Sequence, residues 1–218
     1  MRLKNLCMKI KNILNKFVFA RKLESEVVGK CATAIDLGCG KDSPLKFFSN
    51  ELKYSLGVDS HMPSIASSMK SGIHSEYIAS DILETCRKIT DNSFDCALAL
   101  DLIEHLEKED GEKLLKEMAR IAKKRIIIYT PNGFLKQTVF EDNQAQKHLS
   151  GWSVKEMKKF GFKVYGMSGL KILRKEMGEI KYRPRLIWRF ISFLTQVPVY
   201  FLPTLAFQIL CVKTLNKT

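Results

Sequence analysis

The 218-residue chain has six cysteines, Cys7, Cys31, Cys39, Cys86, Cys96 and Cys211, but no CxxC and no paired spacing among them. A zinc site and a disulfide framework are therefore not expected, and the thiols point to a reducing, cytoplasmic compartment. Histidine is scarce and scattered, at His61, His74, His105 and His148, so no metal is expected. No acid precedes Glu24, which raises a transit peptide, yet the segment also lacks the serine and arginine bias of one. It has no small-residue cleavage site of the secretory kind. Internal repeats and low-complexity linkers are absent as well.

Formal charge is missing from Phe190 to Val212, a run of 23 residues. That length could cross a bilayer. Pro198, Pro203, Gln196 and Gln208 interrupt it, however, and its last third is β-prone. A buried helix-turn-strand, or an apolar wedge at an interface, fits better.

The composition, 45% apolar and 27% charged, is that of a folded domain. The formal net charge of +13 is unevenly placed. Residues 1–31 carry +6, residues 171–218 carry +7, and residues 32–170 are neutral. Both basic flanks are rich in large apolar residues. That pairing suits an anionic membrane surface, met through residues 1–22 and 171–205, better than nucleic acid. A merely solubilising surface is the competing explanation.

Apolar residues at Leu3, Leu6, Ile10, Ile13, Leu14, Phe17 and Val18 share one helical face, predicting an amphipathic helix over 3–18. Strands are then expected at about 32–37, 54–59, 76–79, 94–100, 125–130, 162–167 and 206–213. Helices are expected at 43–50, 63–70, 109–123 and 153–160, with Ser43 as N-cap and Pro44 at the first position of the earliest. This alternation predicts an α/β fold on a parallel sheet. The chain divides into an N-terminal basic helix (1–30), a core (31–170), a basic and apolar insertion (171–205) and a last strand with tail (206–218).

Asp36-Leu37-Gly38-Cys39-Gly40, followed by Leu56-Gly57-Val58-Asp59, outlines a nucleoside-cofactor site at the ends of two parallel strands. A dinucleotide would lay its anionic pyrophosphate on the glycine turn, where Asp36 would repel it. Asp36 therefore favours a donor that brings a cationic sulfonium and an ammonium. Glycine at 38 and 40 lets the backbone approach such a ligand closely. Asp59 at the end of the second strand can accept from ribose hydroxyls, or simply cap the next helix.

With these motifs residues 30–170 resemble class I S-adenosylmethionine-dependent methyltransferases, in the small-molecule group that includes quinone-biosynthesis methylases. The resemblance implies a Rossmann-like three-layer sandwich whose mostly parallel seven-stranded sheet is completed by an antiparallel strand near 206–213. It implies S-adenosyl-L-methionine as cofactor, with Asp36, Gly38, Cys39 and Gly40 at the methionine end, and Asp59 with Ser60 at the ribose. Met62 would lie on the adenine face, unless it is an ordinary core residue. Ser80, Asp81 and Ile82 resemble the third motif and would meet the adenine edge. Asp101, Leu102, Ile103, Glu104 and His105 resemble the segment beneath the sulfonium, so Asp101 and Leu102 are placed at the cofactor.

His148, in His148-Leu149-Ser150-Gly151-Trp152, is the preferred general base, with His105 the second candidate; a structural role competes for each. Tyr129 to Gly133 reads as a turn, followed by a polar loop over the substrate. No Pro-Pro-aromatic sequence follows the fourth strand, which disfavours amino-directed nucleic-acid methylation. The expected activity is methyl transfer to a small-molecule or lipid-linked acceptor, peripheral on the cytoplasmic membrane face. An RNA methyltransferase and a non-catalytic donor-binding module are the alternatives. An NAD-linked enzyme is more distant, because Ser43 replaces the third fingerprint glycine.

Overall fold

A computed structural model describes residues 18–137, 146–175 and 178–215. All but the last residue of the helix expected over 3–18, and Cys7 with it, lie outside them. Seven strands form one sheet: β1 (Thr33–Leu37), β2 (Tyr54–Asp59), β3 (Glu76–Ala79), β4 (Phe94–Leu100), β5 (Ala122–Pro131), β6 (Lys163–Leu170) and β7 (Ala206–Thr214). Their order is β3-β2-β1-β4-β5-β7-β6. The pairs from β3 through β5 are parallel, while β7 runs antiparallel to both its neighbours. This is the expected mostly parallel sheet with an antiparallel last strand.

Alternation along the strands loads both faces of the sheet. Ile35, Leu37, Leu56, Val58, Ala97 and Ile126 pack beneath α3 (Ile82–Lys88), α4 (Lys108–Ile121) and α5 (Val154–Lys159). Ala34, Cys96, Leu98, Ile127, Tyr129 and Leu210 face the other way. There they meet Phe19, Leu23 and Val27 of α1 (residues 18–27), with Leu45 and Phe48. Between β2 and β3 runs α2 (Met62–Ser71), closed by Gly72 in the left-handed conformation at φ 59°. Cys31, Cys39, Cys86, Cys96 and Cys211 are free and buried, as small apolar side chains would be.

Several expectations are corrected. Residues 43–50 do not form an α-helix but two 3-10 turns, Pro44–Phe47 and Ser49–Glu51. Ser43 still caps the first, accepting from the Leu45 N–H. Helix α4 stops at Ile121 because Ala122 pairs with Phe94, so β5 begins earlier than its β-branched run suggested. Tyr129 to Pro131 are not turn residues; they remain in β5, opposite Leu210 to Gln208 of β7. Helix α3 lies between β3 and β4, where no helix was expected.

The 171–205 segment folds onto the sheet as α6 (Arg185–Leu194), α7 (Gln196–Phe201) and the 3-10 turn Pro203–Leu205. Among the described residues, no helix is long and apolar enough to cross a membrane. Val199 and Gln196 of α7 are buried, with Gln196 Nε2 donating to Gly166 O at 3.2 Å. The outer faces carry Leu186, Ile187, Phe190, Leu194, Val197, Phe201, Leu202 and Leu205, all exposed.

Candidate active site

The C-terminal ends of β1, β2 and β4 open into a cleft of about 880 Å³, the place where open parallel sheets take ligands. On the β1 side the chain turns sharply. Gly38 and Gly40 have φ of 70° and 55°, and the Gly38 and Cys39 N–H groups both donate to Val58 O. A Cβ on Gly38 would stand 2.8 Å from Leu102 Cδ1, whereas one on Gly40 would meet nothing within 4 Å. Gly38 is thus favoured by its positive φ and by the closeness of Leu102, and Gly40 has open space where a side chain would stand. Asp59 ends β2 with Oδ2 accepting from the Gly40 N–H at 2.9 Å and Oδ1 from the His61 N–H at 2.8 Å. Both carboxylate oxygens are oriented by backbone, and their remaining lone pairs lie on the cleft wall.

Beyond the donor turn, Asp101 follows β4 at φ 52°. Its Oδ1 accepts from Gln208 Nε2 at 3.2 Å; Gln208 in turn accepts from Tyr129 and Ser168 hydroxyls. Desolvation within the cleft raises the carboxyl of the surface-accessible Asp101 above the ordinary value, against the pull of the Gln208 hydrogen bond. Glu104 is buried, with Oε2 accepting from Thr130 at 2.9 Å. Burial, and then the charge of Asp101, push its carboxyl well up.

His105 and His148 meet here with ring centroids 4.9 Å apart. His105 Nδ1 donates to Lys147 O at 3.1 Å, and His148 Nδ1 to Leu135 O at 2.6 Å. Burial lowers the pKa of both rings below the ordinary histidine value. Leu149 and Ser150 N–H groups both donate to Glu104 O, which fastens the His148 segment to the turn after β4. Arg174 also lines the cleft; its guanidinium is 5.1 Å from the Phe207 ring centre, and its buried Nε has no hydrogen-bond partner among the described residues.

Residues 35–129 match the sequence family described as "Methyltransferase domain". Over those residues the chain is similar to methyltransferase domains. Among solved structures, a SAM-dependent methyltransferase from Archaeoglobus fulgidus aligns at TM-score 0.58 and 18% identity, covering 92% of this chain and 94% of that one. The N-methyltransferase NodS from Bradyrhizobium japonicum WM9 aligns at TM-score 0.61 and 10% identity, covering 95% and 97%. Magnesium protoporphyrin IX methyltransferase from Synechocystis PCC 6803, solved with bound SAM, aligns at 0.53 and 11%, covering 95% and 81%. At these identities the structures share the fold. No curated protein sequence matches the chain.

The cleft wall gathers Gly38, Cys39, Gly40, Asp59, Ser60, Ile82, Asp101, Leu102, His105 and His148 from the sequence-derived set. Asp36 is placed elsewhere. Its carboxylate lies behind the turn, accepting from the Ser43 hydroxyl at 2.5 Å and lying 3.0 Å from His74 Nε2. Met62 is 60% exposed at the start of α2 and is not among the residues lining the cleft. Asp81 caps α3 through the Glu84 N–H, and neither it nor Ser80 lines the cleft. Scattered as they are in sequence, His105 and His148 are neighbours in space. Arg174, Gln208 and Tyr129 were missed; each is a polar residue in an apolar or basic stretch, with no local motif to mark it.

Proposed function

We propose that the chain transfers the methyl group of S-adenosyl-L-methionine to a small-molecule or lipid-linked acceptor at the cytoplasmic face of a membrane. The observation that carries this reading is the composition of one cleft: Asp59 and the glycine turn stand on its donor side, and Glu104, His105 and His148 on its acceptor side. The Gly38–Gly40 backbone would receive the methionine moiety, Asp59 and Ser60 the ribose, and Ile82 the adenine. Asp101 and Leu102 lie where the sulfonium would sit. Methyl transfer from a sulfonium mainly needs donor and acceptor aligned in a dry site, with one proton removed. His148 or His105, each with Nδ1 committed to a carbonyl, offers the Nε2 lone pair for that proton.

Arg174, half-buried on the cleft wall, favours an acceptor with an anionic group such as a phosphate or carboxylate. Membrane contact is supported by the apolar face of α6 and α7, from Ile187 and Phe190 to Phe201, flanked by exposed Arg183 and Arg185.

Calorimetry should give one donor site, and no NAD binding. Asp59→Ala should weaken the donor site about 10–100-fold, from the loss of hydrogen bonds to a charged group. Unchanged donor affinity in Asp59→Ala would remove Asp59 from the site. Labelled donor with fractionated cell extract should mark lipid or small-molecule pools; label confined to RNA would overturn the acceptor reading. Anionic vesicles should sediment the protein, and Phe190→Ser with Phe201→Ser should release it. Sedimentation unchanged in that double variant would end the membrane proposal.

A further inference from the structure

We propose that Glu104, His105 and His148 form a site for one divalent transition-metal ion on the acceptor side of the cleft. One ligand atom from each lies within 4.8 Å of the others. A backbone carbonyl can only accept, so the hydrogen bonds to Lys147 O and Leu135 O fix a proton on each Nδ1. In the neutral ring each Nε2 is then an unprotonated lone pair. The two rings are gathered with one buried carboxyl group, and no lysine or arginine among the described residues pairs with Glu104.

The surroundings are those of a built site. Metal-ligating histidines commonly donate their second ring N–H to a carbonyl, which sets tautomer and ring orientation. Glu104 is oriented by Thr130 at one oxygen, and its own carbonyl holds the strand of chain that carries His148. The ligands come from two segments 43 residues apart, tied together at the site itself. Bonds of about 2.1 Å place two ligands of one ion no more than about 4.2 Å apart. Side-chain rotations of a few tenths of an ångström close the remaining difference. Two imidazoles and one carboxylate suit manganese, iron, cobalt or zinc better than magnesium or calcium. Three protein ligands leave positions open for water or an acceptor atom.

The site's role in turnover rests on the methyl-transfer reading; the ion binding does not. An acceptor hydroxyl bound to the ion would lose its proton to solvent water. Its oxygen then forms the bond to the methyl carbon as the carbon–sulfur bond breaks, and that electron pair stays on the sulfur as a neutral thioether. The two histidines would then hold the ion together, instead of serving as alternative bases.

The test uses the full chain stripped of metal with chelator. Titration with Co²⁺ should develop a saturable visible absorption, and calorimetry with Mn²⁺ or Zn²⁺ should give one ion per chain. His148→Gln, His105→Gln and Glu104→Gln should each weaken binding at least tenfold, with circular dichroism confirming the fold of each variant. Asp91→Asn, at an exposed carboxylate, should not change it. No saturable site up to about 1 mM metal, or a site that survives His148→Gln intact, overturns the proposal. Donor binding measured on the same metal-free sample separates the outcomes. A chain that takes the ion but not the donor overturns methyl transfer alone; one that takes the donor but no ion overturns the metal site alone.

Discussion

His74 Nε2 lies 3.0 Å from Asp36 Oδ2, with both side chains shut away from solvent behind the glycine turn. The acid before the turn is therefore an anchor. It holds the Ser43 hydroxyl on one side and the His74 ring on the other, and so joins β1 to the chain entering β3. The ring is pressed closely into place: a Cβ on Gly57 would stand 2.9 Å from His74 Nδ1 and 3.1 Å from Cys39 Sγ. His74→Ala removes a hydrogen bond to a buried carboxylate and opens a cavity, so a loss of about 2–4 kcal/mol is expected in urea denaturation. Donor affinity measured by calorimetry should fall as well, because Gly38 to Gly40 directly follow the anchored strand. A stability change below about 0.5 kcal/mol would put His74 outside the anchor.

The strands were legible because each apolar run is short and bounded by turn residues, and the place of Asp59 on the cleft wall follows from its position at the end of β2. Asp36 was legible as a motif but not as a contact. Whether a carboxylate faces a ligand or a neighbouring ring depends on His74, 38 residues away. The same holds for His105 and His148, whose approach is fixed by Leu149 and Ser150 bonding to Glu104 O and not by any local spacing. The 43–50 segment carried sound start signals in Ser43 and Pro44, yet Phe48 at φ −149° breaks it into two 3-10 turns. Arg174 had no signal at all, since a lone arginine in a basic stretch reads as a solvated charge.

Acid should weaken the packing around Trp152 through Glu156. Burial works to raise this carboxyl, but hydrogen bonds from Lys108 and Ser153 outweigh it and hold it at about 2. Ser153 and Glu156 form a capping box on α5, while Lys108 Nζ lies 3.5 Å above the buried Trp152 ring. A depressed folded pKa contributes stability that is present above the ordinary glutamate value and is lost as pH falls toward 2. The side chain is 39% exposed, so screening holds the contribution to roughly 1 kcal/mol. Wild type should therefore exceed Glu156→Gln in urea midpoint at pH 7, with the gap closing between about pH 4.5 and pH 2. A gap that stays constant with pH would assign the effect to packing alone.

The junction between α7 and β6 decides whether the apolar arm is part of the domain or only tethered to it. A Cβ on Gly166 would stand 1.9 Å from Val199 O and 2.7 Å from Val199 C. These are backbone atoms of a helix and cannot swing aside, so Gly166→Ala must push α7 off the sheet. Val199 is 1% exposed and Gln196 spans the same junction, with Oε1 accepting from the Gly169 N–H and Nε2 donating to Gly166 O. Overpacking here should cost about 1–3 kcal/mol in urea denaturation. Limited proteolysis should then cut within residues 185–205 faster than in wild type, while the donor cleft, walled chiefly by the opposite half of the sheet, keeps its affinity within about twofold. Cleavage at the wild-type rate would mean that α7 is held by contacts other than its seat on Gly166. A parallel collapse of donor binding would mean that the arm and the donor half of the cleft unfold as one cooperative unit.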